Sequence, residues 1–279
     1  MTTSYRVLAL DIDGTLLTSD GNVTDRSKAA VRAVAESGVR IVIVTGRNLP
    51  KARLVADLLP APTTVIAHNG AICADSDGRI LRAEWLTHRQ ARRLCELFRR
   101  WDCEPCTYTV RHGAFELRHP KTGVNPGLAR YLEANAFVTR PVADVVHLLE
   151  EGRTVHVVAI ERAEKVRRVV AGMSPLDGTR IMTSGGLFGG EYWFLEAIHA
   201  RASKDGALRS LCADWQVPFS EVVAIGDNLN DIELLRTVGV GIAMGNAPEA
   251  VKAVADRVTG SNDEDGIAEA VEWLLGARS

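Results

Sequence analysis

Two carboxylates separated by one residue close the first apolar run of this 279-residue chain, in Asp11-Ile12-Asp13-Gly14-Thr15. Carboxylates at the end of an apolar strand are costly unless something neutralises them. A divalent cation is the natural partner, and an all-oxygen ligand set favours Mg2+. If the strand ran on, Asp11 and Asp13 would point the same way, and Gly14 would then permit a sharp turn. The plainer reading is that one of the two merely caps that turn. A second apolar run ends in Val44-Thr45-Gly46-Arg47. There a hydroxyl and a close backbone N–H could hold a phosphate oxygen, although the tripeptide alone reads equally as a simple turn. Lys204 opens a helical pattern, where its charge opposes the helix dipole; by itself it reads as a solvated lysine. A last apolar run leads into Gly226-Asp227-Asn228-Leu229-Asn230-Asp231, two carboxylates and two amides in six residues.

The elements that must carry these residues follow from apolar periodicity. Residues 7–12, 39–44, 64–67 and 222–225 are near-continuous runs, as expected of strands buried on both faces of a parallel sheet. A helical pattern over 25–37, closed by Gly38, joins the first two as a right-handed strand–helix–strand unit. After Lys204 the alternation returns: helix 204–215, strand 222–225, helix 230–238, strand 239–243, and helices at 248–255 and 266–275. This is the pattern of an α/β, doubly wound parallel sheet, which binds ligands beyond the carboxyl ends of its strands. All four polar clusters fall on or beside that edge. The middle differs. Helices at 88–101 and 163–171, a hairpin of 107–111 with 114–118 turning at His112-Gly113, and strands at 154–160 and 180–183 indicate an inserted α+β domain. The expected domains are a core first segment 1–82, an insertion 83–188 and a core second segment 189–279.

Composition excludes several partners. The chain is 46% hydrophobic and 24% charged, with a net charge of −2. No basic surplus points to nucleic acid, and no apolar run is long enough to cross a membrane. Residues 1–5 lack the shape of a signal peptide. Five irregularly spaced cysteines suggest reduced thiols and a cytoplasmic setting. Cys103 and Cys106 form a C-x-x-C with no second ligand pair, and so read as two small half-buried residues before a metal or redox pair.

In this order the four clusters resemble the motifs of the haloacid dehalogenase superfamily of phosphohydrolases. Asp11-Ile12-Asp13-Gly14-Thr15 resembles the first motif, Thr45 the second, Lys204 the third, and Gly226-Asp227 with Asn230-Asp231 the fourth. His68-Asn69-Gly70-Ala71, residues 243–247 (Ala-Met-Gly-Asn-Ala) and residues 261–266 (Ser-Asn-Asp-Glu-Asp-Gly) resemble stretches of the Cof-type branch, subfamily IIB. The interval from Asp13 to Thr45 holds one helix, whereas that from Thr45 to Lys204 has room for a lid, the C2 cap of subtype B in this family. The resemblance implies a phosphatase acting on a small phosphomonoester, above all a sugar phosphate, through an aspartyl-phosphate. Asp11 would be the nucleophile and Asp13 the acid/base. Mg2+ would sit on the Asp11 carboxylate, the Asp13 backbone carbonyl and Asp227. Ile12, Thr45, Gly46, Lys204 and Asn230 would hold the phosphate, Asp231 would anchor Lys204, and Arg47, His68, Asn69 and Gly70 would line the substrate. The alternative on the same scaffold is a phosphotransferase or hexose phosphomutase. The presence of Asp13 disfavours dehalogenation, and a non-catalytic binding protein would have lost part of this set. His112, Arg118, Glu191 and Tyr192 are the polar or aromatic candidates of the cap. Neither the substrate nor the oligomeric state is legible.

Overall fold

A computed structural model describes residues 5–174, 176–187 and 189–276. In chain order the strands are β1 (Val7–Leu10), β2 (Arg40–Val44), β3 (Thr63–Ala67), β4 (Ile72–Ala74), β5 (Ile80–Ala83), β6 (Cys106–Arg111), β7 (Ala114–Pro120), β8 (Thr139–Val142), β9 (Arg153–Arg162), β10 (Thr179–Leu187), β11 (Tyr192–His199), β12 (Val222–Gly226), β13 (Val240–Ala243) and β14 (Arg257–Val258). The α-helices are α1 (Asp25–Glu36), α2 (Leu49–Ala56), α3 (His88–Arg100), α4 (Pro126–Glu133), α5 (Ala163–Gly172), α6 (Lys204–Asp214), α7 (Ile232–Thr237), α8 (Glu249–Lys252) and α9 (Gly266–Gly276). Among the described residues no helix is long and apolar enough to cross a membrane.

The chain divides into two compact units, Met1–Arg82 with Ser203–Ser279, and Ala83–Ala202. The first unit holds a sheet in the order β14-β13-β12-β1-β2-β3-β4-β5, so the order reverses about β1. β1 pairs parallel with both β2 and β12, and β2 pairs parallel with β3. The runs read as strands are buried almost end to end because helices cover both faces. Val7, Ala9, Val42, Val44 and Ala224 pack with Leu208, Leu211 and Cys212 of α6, while Leu8 and Val223 face Val34 of α1 and Leu274 of α9. α1 begins where Thr24 accepts the Ser27 N–H and ends before Gly38 in a left-handed conformation.

The second unit is a six-stranded sheet, β10-β11-β9-β6-β7-β8, antiparallel except for the β7–β8 pair. The hairpin turn at His112-Gly113 puts both residues at positive φ, as a tight two-residue connection requires. Ala91, Leu94, Cys95 and Phe98 of α3 pack on Val157 and Ala159 of β9 and Leu195 and Ala197 of β11. That packing corrects the expected end of the insertion. Position 188 lies outside the described residues, but β11 beyond it is hydrogen-bonded to β9 and β10, and the unit runs to Ala202.

Other expectations shift locally. β4, antiparallel to β3, and β5 beyond it extend the sheet where no periodicity announces them, and α2 follows Thr45 unannounced. The helix expected over 248–255 shortens to α8, and that over 230–238 begins as a 3-10 turn at Leu229–Asp231 before α7. All five cysteines are free and buried, and burial pushes the Cys103 thiol up to about 11 and that of Cys106 higher still. Protonated thiols are poor nucleophiles, and both side chains are buried with the apolar core. Phe98→Ala is expected to destabilise the insertion by about 3–5 kcal/mol, the usual cost of emptying a core aromatic site. A urea midpoint equal to that of wild type would contradict the packing.

Candidate active site

The carboxyl ends of β1, β2, β3 and β12 lie side by side and deliver the predicted residues to one edge. β1 stops at Leu10, although the Asp11 N–H still reaches the carbonyl of Ile225 at 3.0 Å. The chain then turns. The Ile12 carbonyl accepts the N–H groups of Thr15, Leu16 and Leu17. The two aspartates therefore do not share one strand face, as a continued strand would have required. Asp11 is buried, whereas the Asp13 side chain is 61% exposed. Gly14 has φ +75, and a Cβ there would sit 2.3 Å from Asp227 Oδ2, so only glycine lets the turn lie against that carboxylate. Thr15 donates its hydroxyl to Asp227 Oδ1 at 2.7 Å.

Lys204 is the first residue of α6, which Ser203 caps by accepting the Gly206 N–H. Its position against the dipole is explained by what it faces. The ammonium is buried, 2.8 Å from Asp11 Oδ1 and 2.7 Å from Asp231 Oδ1. Burial works against its charge, but the two carboxylates outweigh that, and the pKa lies above the ordinary lysine value. At Asp11 burial wins over the ion pair. Burial pushes its carboxyl up to about 7 against the pull of Lys204, with Asp231 and Asp227 adding like-charge repulsion. Asp227 rises to about 6, again chiefly by burial. Burial thus dominates at both, while the ammonium bonds only Asp11 and Asp231.

Asp231 spends both oxygens inside the protein. Oδ1 accepts Lys204, and Oδ2 accepts the N–H groups of Asp227 and Asn228. Among the described residues, Asp11, Asp227 and Asp231 bring carboxylate oxygens within 4.8 Å of one another. The Asp13 carboxylate is not in this cluster, and the donor expected of that residue is its backbone carbonyl. An excess of buried negative charge with only oxygen donors fits a hard divalent cation, and with Asp231 committed, Asp11 and Asp227 are the side chains that fit it.

Thr45 is buried beyond β2, and its hydroxyl accepts the Arg47 N–H at 3.1 Å. Gly46 lies under Asn69, whose Oδ1 would be 3.1 Å from a Cβ at that position. Arg47 grips Asp13 with two bonds, Nε to Oδ2 at 2.8 Å and Nη2 to Oδ1 at 2.5 Å. After β3, His68, Asn69 and Gly70 all have positive φ, a strained run of the kind held at functional sites. His68 is buried, and its Nε2 accepts the Leu49 N–H at the start of α2, so it braces the loop that carries Thr45. Asn230 donates to Asn69 Oδ1 at 3.2 Å. Gly70 admits the Ser203 carbonyl, 2.0 Å from where a Cβ would be. The cap candidates are dispersed. Arg118 is fully buried and paired with Glu116, Tyr192 is buried against Gly127, Glu191 pairs with Arg162, and His112 is exposed at a turn. Thr15 and Asn246, which touch this machinery directly, were not singled out by residue-level reasoning; only the family-like stretches around them marked the place.

Lys204→Met is expected to destabilise the protein by about 3–5 kcal/mol at neutral pH by stranding buried carboxylates. The sign with pH is set by Asp11. Its carboxyl is already raised from 3.8 to about 7, so the folded state holds a proton that the unfolded state has lost across that window. Without the lysine that carboxyl climbs further, so the deficit should shrink as pH falls toward 7 and change little on account of Asp11 below it. Urea midpoints that diverge as pH falls toward 7 would contradict this.

The comparisons agree with the geometry. The family of haloacid dehalogenase-like hydrolases matches residues 8–271. The Phosphatase YwpJ of Bacillus subtilis (strain 168) is 28% identical, over 97% of this chain and 100% of its own length. The Pyridoxal phosphate phosphatase YbhA of Escherichia coli (strain K12) is 31% identical, over 95% and 96%. The structure of BT1666 from Bacteroides thetaiotaomicron, a phosphatase of the same superfamily, superposes with a TM-score of 0.79 at 29% identity, covering 99% of this chain and 97% of its own. A doubly wound sheet, a buried aspartate–lysine–aspartate row at its carboxyl edge, and full-length likeness to phosphatases lead to one assignment: the chain belongs to the haloacid dehalogenase-like hydrolases and is one of the family's phosphatases.

Proposed function

We propose that this phosphatase is a Mg2+-dependent phosphomonoester hydrolase that takes a small phosphorylated metabolite, a sugar phosphate, through an aspartyl-phosphate on Asp11. The observation that carries the reading is the buried Asp11 carboxylate, held 2.8 Å from the Lys204 ammonium with Asp227 beside it. One Asp11 oxygen attacks phosphorus, and the ester oxygen leaves with a proton from Asp13. Water then attacks the aspartyl-phosphate, gives its proton back to Asp13, and inorganic phosphate departs. Asp13 suits this part because its side chain is exposed and bonded to Arg47. Lys204, Thr45, and the backbone at Ile12 and Gly46 receive the phosphoryl oxygens, with Asn230 at the rim. Asp11, Asp227 and the Asp13 backbone carbonyl would hold Mg2+, which supplies positive charge to the phosphoryl oxygens. Asp231 keeps Lys204 in place. Arg47, Asn69 and Gly70 face the substrate side of the same edge. Five buried free thiols suit a reducing compartment, and we place the protein in the cytoplasm.

Asp11→Asn is expected to lower phosphate release by about a thousandfold or more, because an amide is a poor nucleophile. Activity within tenfold of wild type would sink the covalent route. EDTA should silence the enzyme and Mg2+ restore it; full turnover in chelator removes the metal assignment. In a release screen over sugar phosphates, nucleotides, phosphoglycolate and pyridoxal phosphate, sugar phosphates should lead. A lead for pyridoxal phosphate would transfer the substrate of the E. coli relative instead, and release only in trace amounts, with demand for a bisphosphate activator, would indicate a mutase.

A further inference from the structure

The turn that carries Asp13 is held from a distance. Its entry is fixed locally, by three N–H groups on the Ile12 carbonyl. Its exit is fixed by Asn246, whose Nδ2 donates to the Gly14 carbonyl at 2.8 Å from 232 residues further along the chain. The Asn246 side chain is itself oriented, since its Oδ1 accepts the Asn262 N–H at 3.0 Å. Asn262 then donates through Nδ2 to the Leu17 carbonyl at 2.8 Å, and Asp263 accepts both the N–H and the hydroxyl of Ser19. The loops after β13 and β14 thus grip residues 14–19 at successive points. They are pinned to each other as well, because the Gly245 N–H donates to the Gly260 carbonyl and a Cβ on Gly245 would come within 2.9 Å of Ser261 N.

Asn246 is exposed and makes no part of either apolar core. An exposed side chain that uses both its donor and its acceptor on backbone groups at an active-site turn is spending its chemistry on position. We infer that Asn246 is a positioning residue for Asp13, with Asn262 as its support: by fixing the Gly14 peptide it sets where the Asp13 carboxyl stands relative to the leaving oxygen. The inference rests on the acid/base role proposed for Asp13.

The test compares two esters of nearly the same shape. Phenyl phosphate needs a proton on its leaving oxygen far more than p-nitrophenyl phosphate does, so a displaced acid is felt mainly on the first. Asn246→Ala should lower kcat on phenyl phosphate about tenfold more than on p-nitrophenyl phosphate, a fraction of a full general-acid contribution, with KM little changed. Asn246→Asp keeps the acceptor for Asn262 but loses the donor to Gly14, and should show the same split. Hydrogen exchange at the Thr15, Leu16 and Leu17 amides should rise in both variants, whatever the activity. Equal losses on the two esters, full activity in Asn246→Asp, or unchanged exchange would each overturn the inference. Asp13→Asn serves as the reference. If it fails to separate the esters, the acid/base reading falls, while the exchange result still decides whether Asn246 holds the turn.

Discussion

A single ammonium buried between carboxylates sets the terms for the rest of the core. Lys204 has almost no water, and a charge in that position persists only if its partners are close and correctly aimed. Asp11 comes from β1, Asp231 from the turn after β12, and Lys204 from the first turn of α6. Bringing three backbones that near leaves no room for side chains between them. A Cβ on Gly226 would lie 2.7 Å from Asp231 Cγ, and one on Gly70 would collide with Ser203, the cap of the helix that presents the lysine. The glycines at these positions follow from the charge cluster, just as Gly14 follows from the approach of Asp227.

The same cluster explains the division between neutralised and unneutralised charge. Asp231 is saturated by the lysine and two N–H groups, so its negative charge is internal to the structure. Asp11 and Asp227 share what positive charge remains, and burial lifts both above the usual carboxylate range. A site in that electrostatic condition favours a cation over a further anion. Asp13 stands apart on an exposed turn. It is free of the buried cluster; Arg47 bonds its carboxylate, and Asn246 bonds the carbonyl of the next residue, Gly14.

Much of this was legible before the structure. β1, β2, β3 and β12 are readable because strands covered on both faces must be apolar throughout, and the chemistry sits where each apolar run stops. β4 and β5 were not, since strands of three and four residues carry no period long enough to detect. No strand is read between residues 189 and 203, and only the pairing of β11 with β9 and β10 assigns that stretch to the insertion's sheet. The expectation that Asp11 and Asp13 share a face assumed a strand that ends at Leu10.

What the amino-acid order determined by itself is the inventory: carboxylates, a lysine, a threonine and glycines at the ends of four apolar segments, with an insertion between the second and third motifs. Local pattern can do this because burial and backbone freedom act on residue type. Only the tertiary structure shows how differently the two carboxylates are surrounded. Asp11 and Asp13 are two residues apart and chemically identical, yet one is buried against Lys204 and the other is exposed beneath Arg47. Their difference arises from groups 193 and 34 residues away, and electrostatic environment is a property of distance in space, which no local pattern carries.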